Sequence, residues 1–290
     1  KDGKVVLAKG YGVRKLGEPA PVNEHTLFGI ASNTKAFTAT ALGLLVEEGK
    51  LEWDKPVIDY LPWFQLSDPY VTRELTIRDL LVHRSGLSLG AGDLLWWPPS
   101  TYNRREIAQR LRYIPLSTSF RSAYAYDNVL YLVASEVIEA VAGKTWEEFI
   151  QTRILDKVGM TESKLFHNGD PIAGNVAMTY ANVGGKVQMV KPFVEMNSNP
   201  AAGINASAAD MAKWMIVQLD SGQLADSSRL FAASTARELW SIVTPFPSGS
   251  PPPPELQPLF SNFAGYALGF GIRDYRGKKD IFGRELKMTQ

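Results

Sequence analysis

The sequence predicts an α+β protein in which helices flank an antiparallel sheet and a mostly helical region is inserted into the chain. Two observations point to this class. Strand-like segments lie near both ends of the 290-residue chain, and strongly helical segments fill most of the middle. Joining distant segments in one sheet, with helices against it, is a stable way to bury an apolar face. We therefore expect residues 1–58 and 173–290 to form a sheet-containing domain and residues 59–172 a mostly helical domain.

The first predicted elements are a strand and a long helix. Residues 4–11 alternate in polarity after the turn pair Asp2-Gly3, a pattern typical of a hairpin. The turn-rich stretch GEPAPVN then leads to a helix that begins near Ser32 and ends at Gly49, with apolar residues at helical spacing. A short helix follows in LTIRDLLVHRSGL, with Thr76 as its cap.

The later elements alternate between helices and loops. Residues 128–142 are strongly helical, and Gly143 ends this helix. TWEEF begins another helix with a capping box from Thr145 to Glu148, and Ser207 repeats that device ahead of MAKWMIVQL. PFPSGSPPPPELQP predicts a loop with neither helix nor strand. The final stretch, GYALGFGIRDYRGKKDIFGRELKM, predicts two strands around a charged turn.

Composition argues against several classes of function. The 31 basic and 30 acidic residues are spread along the chain, so no basic block indicates a nucleic-acid-binding surface. Cysteine is absent, and His25, His83 and His167 lie far apart, so we expect no metal site and no cofactor. No apolar run reaches the length of a membrane span. The oligomeric state is left open.

Ser32 and Lys35 form the candidate catalytic pair. Three residues apart at the start of an apolar helix, they face the same side of it. A serine hydroxyl needs a neighbouring base, and either a neutral lysine or a tyrosinate can serve. The pKa of lysine or tyrosine, ordinarily about 10, must fall by about 3 units, roughly 4 kcal/mol, which burial beside a charged group can supply. Chance alone yields about one Ser-x-x-Lys in a chain of this length.

Tyr126 and Asn128 form the second candidate group, in YAYDNVLYLVASEVIEAVAG. They stand where a loop leads into the long predicted helix, so the tyrosine hydroxyl could point at a site between the domains. The amide of Asn128 can both donate and accept hydrogen bonds, as the binding of an amide-bearing substrate requires. A second Tyr-x-Asn, residues 180–182, precedes two glycines and is more typical of a strand or turn edge.

Four segments in one order carry a family resemblance: SNTK, TIRDLLVHRSGL, YAYDNVLYLVASEVIEAVAG and NPAAGINASAADMAKWM. Together they resemble the serine β-lactamase and penicillin-binding-protein superfamily over nearly the whole chain. The most similar groups are class C-like β-lactamase-related hydrolases, namely family VIII esterases, D-aminopeptidases and D,D-carboxypeptidase-like enzymes. The resemblance implies a β-lactamase/transpeptidase-like fold with the active site between the two domains.

The resemblance also implies a role for each candidate residue. Ser32 would be the acylated nucleophile, and its backbone N–H would stabilise the oxyanion. Lys35 and Tyr126 would share the proton transfers, with either as the base, and Asn128 would bind the substrate. That substrate would be a small molecule or peptide with an ester, amide or β-lactam bond. His83, within HRSGL, would have a structural role, in packing or hydrogen bonding. The sequence contains no Gly-x-Ser-x-Gly elbow, and this absence argues against an α/β-hydrolase.

The chain departs from the family pattern in a third motif. Lys-Thr-Gly or His-x-Gly, whose strand supplies a second oxyanion donor in the family, does not occur in residues 173–290, the part of the chain where family order would place it. We expect it beyond Gln290, beside a strand at residues 281–288, and we expect the sequence to be truncated at both ends because Asp2-Gly3 has no strand before it. The missing motif keeps a different hypothesis open, a non-catalytic binding or assembly module that retains the pocket as a scaffold.

Location and specificity are predicted only in outline. Relatives that act on cell-wall peptides or penicillins work outside the cytoplasm, so the resemblance implies a periplasmic or secreted protein. The loops at residues 90–100 and 245–258 could line the cleft, because loops on a rigid scaffold often determine specificity. Trp96 and Trp97 would then favour apolar acyl groups or aromatic side chains, or else cap a helix interface.

Overall fold

The computed structural model describes residues 5–165, 173–193, 195–247, 253–259 and 261–274. Its α-helices are α1 (Thr34–Glu47), α2 (Val57–Tyr60), α3 (Pro69–Glu74), α4 (Arg104–Arg110), α5 (Val129–Ala142), α6 (Trp146–Ile150), α7 (Asp156–Val158), α8 (Asn199–Ala202), α9 (Ala208–Leu219) and α10 (Ala233–Trp240). Its strands are β1 (Phe28–Gly29), β2 (Lys164–Leu165), β3 (Tyr180–Val183), β4 (Lys186–Met189), β5 (Ile204–Ala206), β6 (Thr244–Pro245), β7 (Ala264–Tyr266) and β8 (Gly271–Arg273). Short 3-10 turns and one π-helical turn, Gln151–Leu155, join several of them.

Helix α1 lies at the centre of the core. Its side chains from Thr34 to Leu45 are all buried, and it packs against α5, α6, α8 and α10. A helix that is buried on every side is expected in the interior of a large core. On one face Phe37 stacks on Trp214 of α9, with the ring centroids 4.0 Å apart. The helix ends at Glu47, with Glu48 as its C-cap residue, and Gly49 follows with a φ of +70°, in keeping with the predicted end of the helix.

The strands form three small antiparallel sheets, so the predicted α+β class is confirmed. In the first, β5 lies between β1 and β2, with Phe28 opposite Ala206 and Leu165 opposite Ile204. The second is the hairpin β3–β4, and the third has the order β6–β7–β8. Because β2 belongs to the segment 59–172 yet pairs with β5, strand pairing crosses the predicted domain boundary. The division into two domains stays a prediction.

Several predicted helix ends match the structure. Gly143 follows α5 with a φ of +66°, as the sequence predicts. Thr145 and Glu148 form the capping box of α6, each side chain bonded to the other residue's backbone N–H. The hydroxyl of Ser207 accepts from the backbone N–H of Asp210 at the start of α9. Local side-chain chemistry therefore determined these boundaries.

Other local predictions were wrong. Residues 5–11 form no strand, because no neighbouring strand pairs with them in the described part of the chain and Val5, Val6 and Leu7 are exposed. The segment LTIRDLLVHRSGL forms only the 3-10 turn Arg78–Leu80. Thr76 and Asp79 do exchange the hydrogen bonds of a capping box, but the chain leaves the right-handed helical conformation at His83, which has a φ of +57°. The proline-rich stretch is not all loop: it begins in β6 and ends in a 3-10 helix, Pro254–Leu259.

The last predicted strand pair lies partly outside the described residues. GYALGFGIR is not one strand but a tight hairpin, in which the N–H of Ala267 bonds to the carbonyl of Phe270 at 2.8 Å between β7 and β8. The Asp2-Gly3 turn, the charged turn, the strand at residues 281–288 and any motif past Gln290 fall outside the described ranges. None of the helices that the structure describes has the length and apolar character required to cross a membrane.

The turn between β7 and β8 contacts α1 at Lys35. Gly269 has a φ of +81°, and a Cβ atom there would lie 2.8 Å from the carbonyl oxygen of Lys35 and 2.9 Å from the Cβ of Ala39. Only glycine satisfies both the left-handed backbone and this close approach. The hairpin therefore supports the first turns of α1.

Replacing Gly269 with alanine should therefore destabilise the fold by about 2–5 kcal/mol. The left-handed conformation costs about 1–2 kcal/mol for a residue with a Cβ, and overpacking against α1 adds about 1–3 kcal/mol. Gly12→Ala is the matched control, because Gly12 has a φ of +76° but open space around it. Urea unfolding of both variants measures the difference. Equal losses in the two variants would contradict the close contact with α1.

Candidate active site

Ser32 lies in the 3-10 turn Ala31–Asn33, immediately before α1. The preceding Ala31 has a φ of +47°, a region that costs a non-glycine residue about 1–2 kcal/mol. Such strain concentrates at functional sites. Strand β1 leads into this turn, where the N–H of Ile30 bonds to the carbonyl of Ile204 in β5 at 3.0 Å. The half-buried hydroxyl of Ser32 is thereby held at the mouth of a core helix.

The side chain of Lys35 is fully buried and surrounded by oxygen atoms. Its Nζ lies 3.1 Å from the Oγ of Ser32, 2.7 Å from the Oδ1 of Asn128 and 3.1 Å from the carbonyl oxygen of Ala201 in α8. The ring centroid of Tyr126 lies 4.8 Å from the same nitrogen. The predicted contact between Ser32 and Lys35 is therefore present, and residues from three distant parts of the chain surround the amine.

Tyr126 and Asn128 reach the same place from the loop before α5. The hydroxyl of Tyr126 donates to the Oγ of Ser32 at 2.7 Å. The amide nitrogen of Asn128 donates to the Oδ2 of Asp93 at 3.0 Å, while its oxygen accepts from Lys35. The structure thus brings together all four residues that the sequence predicted. The rival tyrosine, Tyr180, lies in strand β3 and bonds through its hydroxyl to the N–H of Leu16.

Burial governs the charge of the two proton-transfer groups. It lowers the pKa of Lys35 to about 7 from 10.5, although the negative charges of Asp127 and Asp93 oppose the shift. Burial raises the pKa of Tyr126 above its usual value of 10, with the hydrogen bond to Ser32 opposing. At neutral pH the tyrosine is a phenol, whereas a large fraction of Lys35 is the neutral amine.

Sequence reasoning missed three contributors to this site. Asp93 lies in the same loop as Trp96 and Trp97. Burial raises the pKa of Asp93, and the hydrogen bond from Asn128 opposes this rise. Asp127 lies between Tyr126 and Asn128 in the sequence and is fully buried. Ala201 contributes its backbone carbonyl. Every residue has such a group, so the amino-acid sequence does not indicate which carbonyl reaches the site.

The two tryptophans of the loop differ. Trp96 is only 7% exposed and packs into the core, whereas Trp97 is 59% exposed. Both rings approach Phe193, with centroid distances of 6.1 and 6.4 Å. The described residues contain no group of three or more acidic or histidine side chains placed to hold a metal ion.

His83 lies inside the fold, as predicted. Its side chain is fully buried, and its Nδ1 accepts from the backbone N–H of Asp127 at 3.2 Å. Its ring centroid is 4.3 Å from that of Tyr126. Burial lowers the pKa of His83 below 6.5, despite the opposing hydrogen bond and charge of Asp127, so the imidazole is neutral at pH 7.

Curated proteins similar to this chain include two hydrolases. The chain is 30% identical to the Unguisins hydrolase ungD of Aspergillus violaceofuscus (strain CBS 115571), over 99% of this chain and 54% of that protein. It is 27% identical to the Teichoic acid D-alanine hydrolase of Staphylococcus aureus, over 77% of this chain and 53% of that protein. The chain therefore spans about half the length of the curated relatives it matches.

Solved structures show the same fold. The octameric penicillin-binding protein homologue from Pyrococcus abyssi matches with a TM-score of 0.76 at 26% identity, over 94% of this chain and 59% of that one. The D-amino acid amidase from Ochrobactrum anthropi SV3 matches with a TM-score of 0.71 at 22% identity, over 91% of this chain and 70% of that one. The resemblance predicted from the four sequence segments is confirmed. Because the sequence model of the Beta-lactamase family also matches residues 1–283, this chain belongs to that family.

Proposed function

We propose that the protein is a serine hydrolase that forms an acyl-enzyme on Ser32. The observation that carries this proposal is the contact of the Ser32 Oγ with both the Nζ of the buried Lys35, at 3.1 Å, and the Oη of Tyr126, at 2.7 Å. A serine oxygen flanked by two proton-transfer groups is the arrangement that nucleophilic catalysis requires. Hydrolase names among the relatives support the same class of reaction.

In the proposed reaction, the Ser32 Oγ attacks the carbonyl carbon of the substrate and its proton passes to the neutral amine of Lys35. Tyr126 gives its phenolic proton to the leaving oxygen or nitrogen and regains one from Lys35. The bond to the leaving group breaks, and Ser32 carries the acyl group as an ester. Water then attacks this ester and loses a proton to Lys35. The bond between the acyl carbon and the Ser32 Oγ breaks, Lys35 returns that proton to the Oγ, and the carboxylic acid leaves.

We further propose a D-aminoacyl ester or amide as the substrate. Support comes from the names of two similar proteins, the Teichoic acid D-alanine hydrolase and the D-amino acid amidase. The proposed reaction takes place between the segments 1–58 and 173–290 on one side and 59–172 on the other, because Lys35 and Ala201 meet Asn128 there. A location outside the cytoplasm is part of the same proposal, supported by the named cell-envelope substrate of the staphylococcal relative.

A fluorophosphonate probe should label the peptide that contains Ser32, because the activated Oγ displaces fluoride from phosphorus. Ser32→Ala should abolish the label and lower kcat for p-nitrophenyl acetate by at least about 10³-fold. Ser119→Ala, at an exposed serine, is the matched control and should change neither. Mass spectrometry and steady-state kinetics provide the readouts. Full activity in Ser32→Ala would contradict the proposal, and a folded protein without label or turnover would favour the non-catalytic binding module.

The rate of acylation should rise with pH through about 7 and level off above it. The neutral amine of Lys35 is the active form in the proposed reaction, and its pKa is about 7. Lys35→Arg should abolish activity since arginine stays protonated, whereas Lys144→Arg, at an exposed lysine, should not. Asp93→Asn should move the midpoint to lower pH, because it removes a negative charge that favours the ammonium. A kcat/KM that is flat from pH 5 to pH 9 would refute this role of Lys35.

Trp97→Ala should lower kcat/KM for a long-chain p-nitrophenyl ester more than for the acetate. The exposed ring of Trp97 stands beside Phe193 on the loop that carries Asp93, where it can contact an apolar group of the substrate. We expect a change in stability within about 0.5 kcal/mol, as for a surface substitution. Trp96→Ala is the contrasting variant and should cost about 3–5 kcal/mol because Trp96 is buried. If the ratio of kcat/KM for the two esters is the same in Trp97→Ala as in the wild-type protein, Trp97 does not contribute to substrate specificity.

A further inference from the structure

The turn that contains His83 is tied to the rest of the molecule by its carbonyl groups. Four consecutive carbonyls in this turn each accept a hydrogen bond from a residue distant in sequence. The pairs are Leu81 with the hydroxyl of Tyr131 at 2.7 Å, Val82 with the hydroxyl of Thr244 at 2.8 Å, His83 with the N–H of Ala125 at 2.9 Å, and Arg84 with the N–H of Arg121 at 2.8 Å. The turn is therefore a fixed support next to the candidate active site.

His83 holds the chain on both sides of Tyr126. Its carbonyl oxygen accepts from the N–H of Ala125, and its Nδ1 accepts from the N–H of Asp127. The carbonyl of Tyr126 itself accepts from the N–H of Gly90 at 2.9 Å. Three successive residues thus have their backbones fixed, and the middle one is the tyrosine whose hydroxyl reaches Ser32.

The imidazole ring also supports the side chain of Tyr126. The two rings lie 4.3 Å apart with an interplanar angle of 34°. The rings of Tyr266, Tyr124 and Tyr131 surround the other sides of the imidazole at 4.5, 5.7 and 5.8 Å. Close packing on this scale leaves few alternative rotamers to either ring.

The structure retains His83 at a cost in stability. Its φ of +57° is unfavourable for a residue with a Cβ. Because Nδ1 accepts a hydrogen bond, the neutral ring has its proton on Nε2, and this buried atom has no hydrogen-bond partner among the described residues. An apolar residue would avoid the cost of burying that unpaired donor. Strain and an unsatisfied donor at one residue suggest a functional reason for keeping it.

We infer that His83 is a positioning residue for Tyr126: its backbone and its imidazole together hold the tyrosine so that the phenol contacts Ser32. The inference rests on the proposed function, in which Tyr126 transfers protons. Displacement of a proton-transfer group by about 1 Å can cost about 10²-fold in rate. His83 itself exchanges no proton with the substrate in this scheme, since its Nδ1 is already bonded to the N–H of Asp127.

A double-mutant cycle on the purified protein tests the inference with p-nitrophenyl acetate. His83→Ala should lower kcat by about 10²-fold and change KM by less than about threefold, because positioning affects the transition state more than ground-state binding. In a Tyr126→Phe background the same substitution should change kcat by less than about threefold, since the phenol to be positioned is absent.

His83→Asn should retain most of the activity. Asparagine tolerates positive φ better than most residues, and its side-chain oxygen can accept from the N–H of Asp127. His25→Ala is the matched control, because the side chain of His25 is 52% exposed and pairs with Glu162; it should leave kcat unchanged. Circular dichroism verifies that each variant is folded under the assay conditions.

The inference would be overturned if His83→Ala lowered kcat by the same factor in the wild-type protein and in the Tyr126→Phe variant. A rise in KM at constant kcat would overturn it as well. If His83→Ala does not fold, His83→Gly, which tolerates the positive φ but lacks the imidazole, is compared in the two backgrounds. A loss of kcat that is as large in Tyr126→Phe overturns the inference, and a loss confined to the protein with Tyr126 supports it. A wild-type protein without Ser32-dependent turnover would instead contradict the proposed function. The two failures are therefore distinguishable.

Discussion

The burial of the amine of Lys35 is the constraint on which the rest of the site depends. The amine lies in the core because α1 is buried on every side. A lowering of its pKa to about 7 from 10.5 corresponds to roughly 5 kcal/mol in favour of the neutral form. Contacts with Ser32, Asn128 and the carbonyl of Ala201 offset part of the cost of burying a polar group. Any change that hydrates this nitrogen would restore the ammonium group.

Two carboxylates limit how far burial lowers the pKa of Lys35. Asp127 and Asp93 both raise the pKa of Lys35 and oppose the effect of burial. A third carboxylate, Asp79, affects the site indirectly, because it holds a nearby backbone turn in place. Burial would raise the pKa of Asp79, but hydrogen bonds from Arg121 and the backbone of Thr76 and the charge of Arg84 hold it below its usual value. Asp79 thus remains charged and anchors the turn that leads to His83.

The site exists only in the folded chain. Ser32 and Lys35 lie at the start of α1, Tyr126 precedes α5, and Ala201 belongs to α8. Each of these contacts joins residues far apart in sequence, except the one between Ser32 and Lys35. The groups that contact the Ser32 oxygen are carried at the ends of helices packed in one core, whereas Trp97 stands on a surface loop. Loops of this kind can vary without disturbing the core.

The sequence by itself determined what depends on local chemistry. Helical periodicity predicted a buried Lys35, the loop-to-helix junction predicted the placement of Tyr126, and capping residues such as Thr145 predicted helix ends, because each depends on neighbours within a few residues. Only the tertiary structure decided which distant groups meet. Asp93 had no spacing that linked it to the site, backbone carbonyls carry no residue signal, and residues 5–11 could not form a strand without a partner. These outcomes depend on long-range packing, which local periodicity and turn chemistry do not encode.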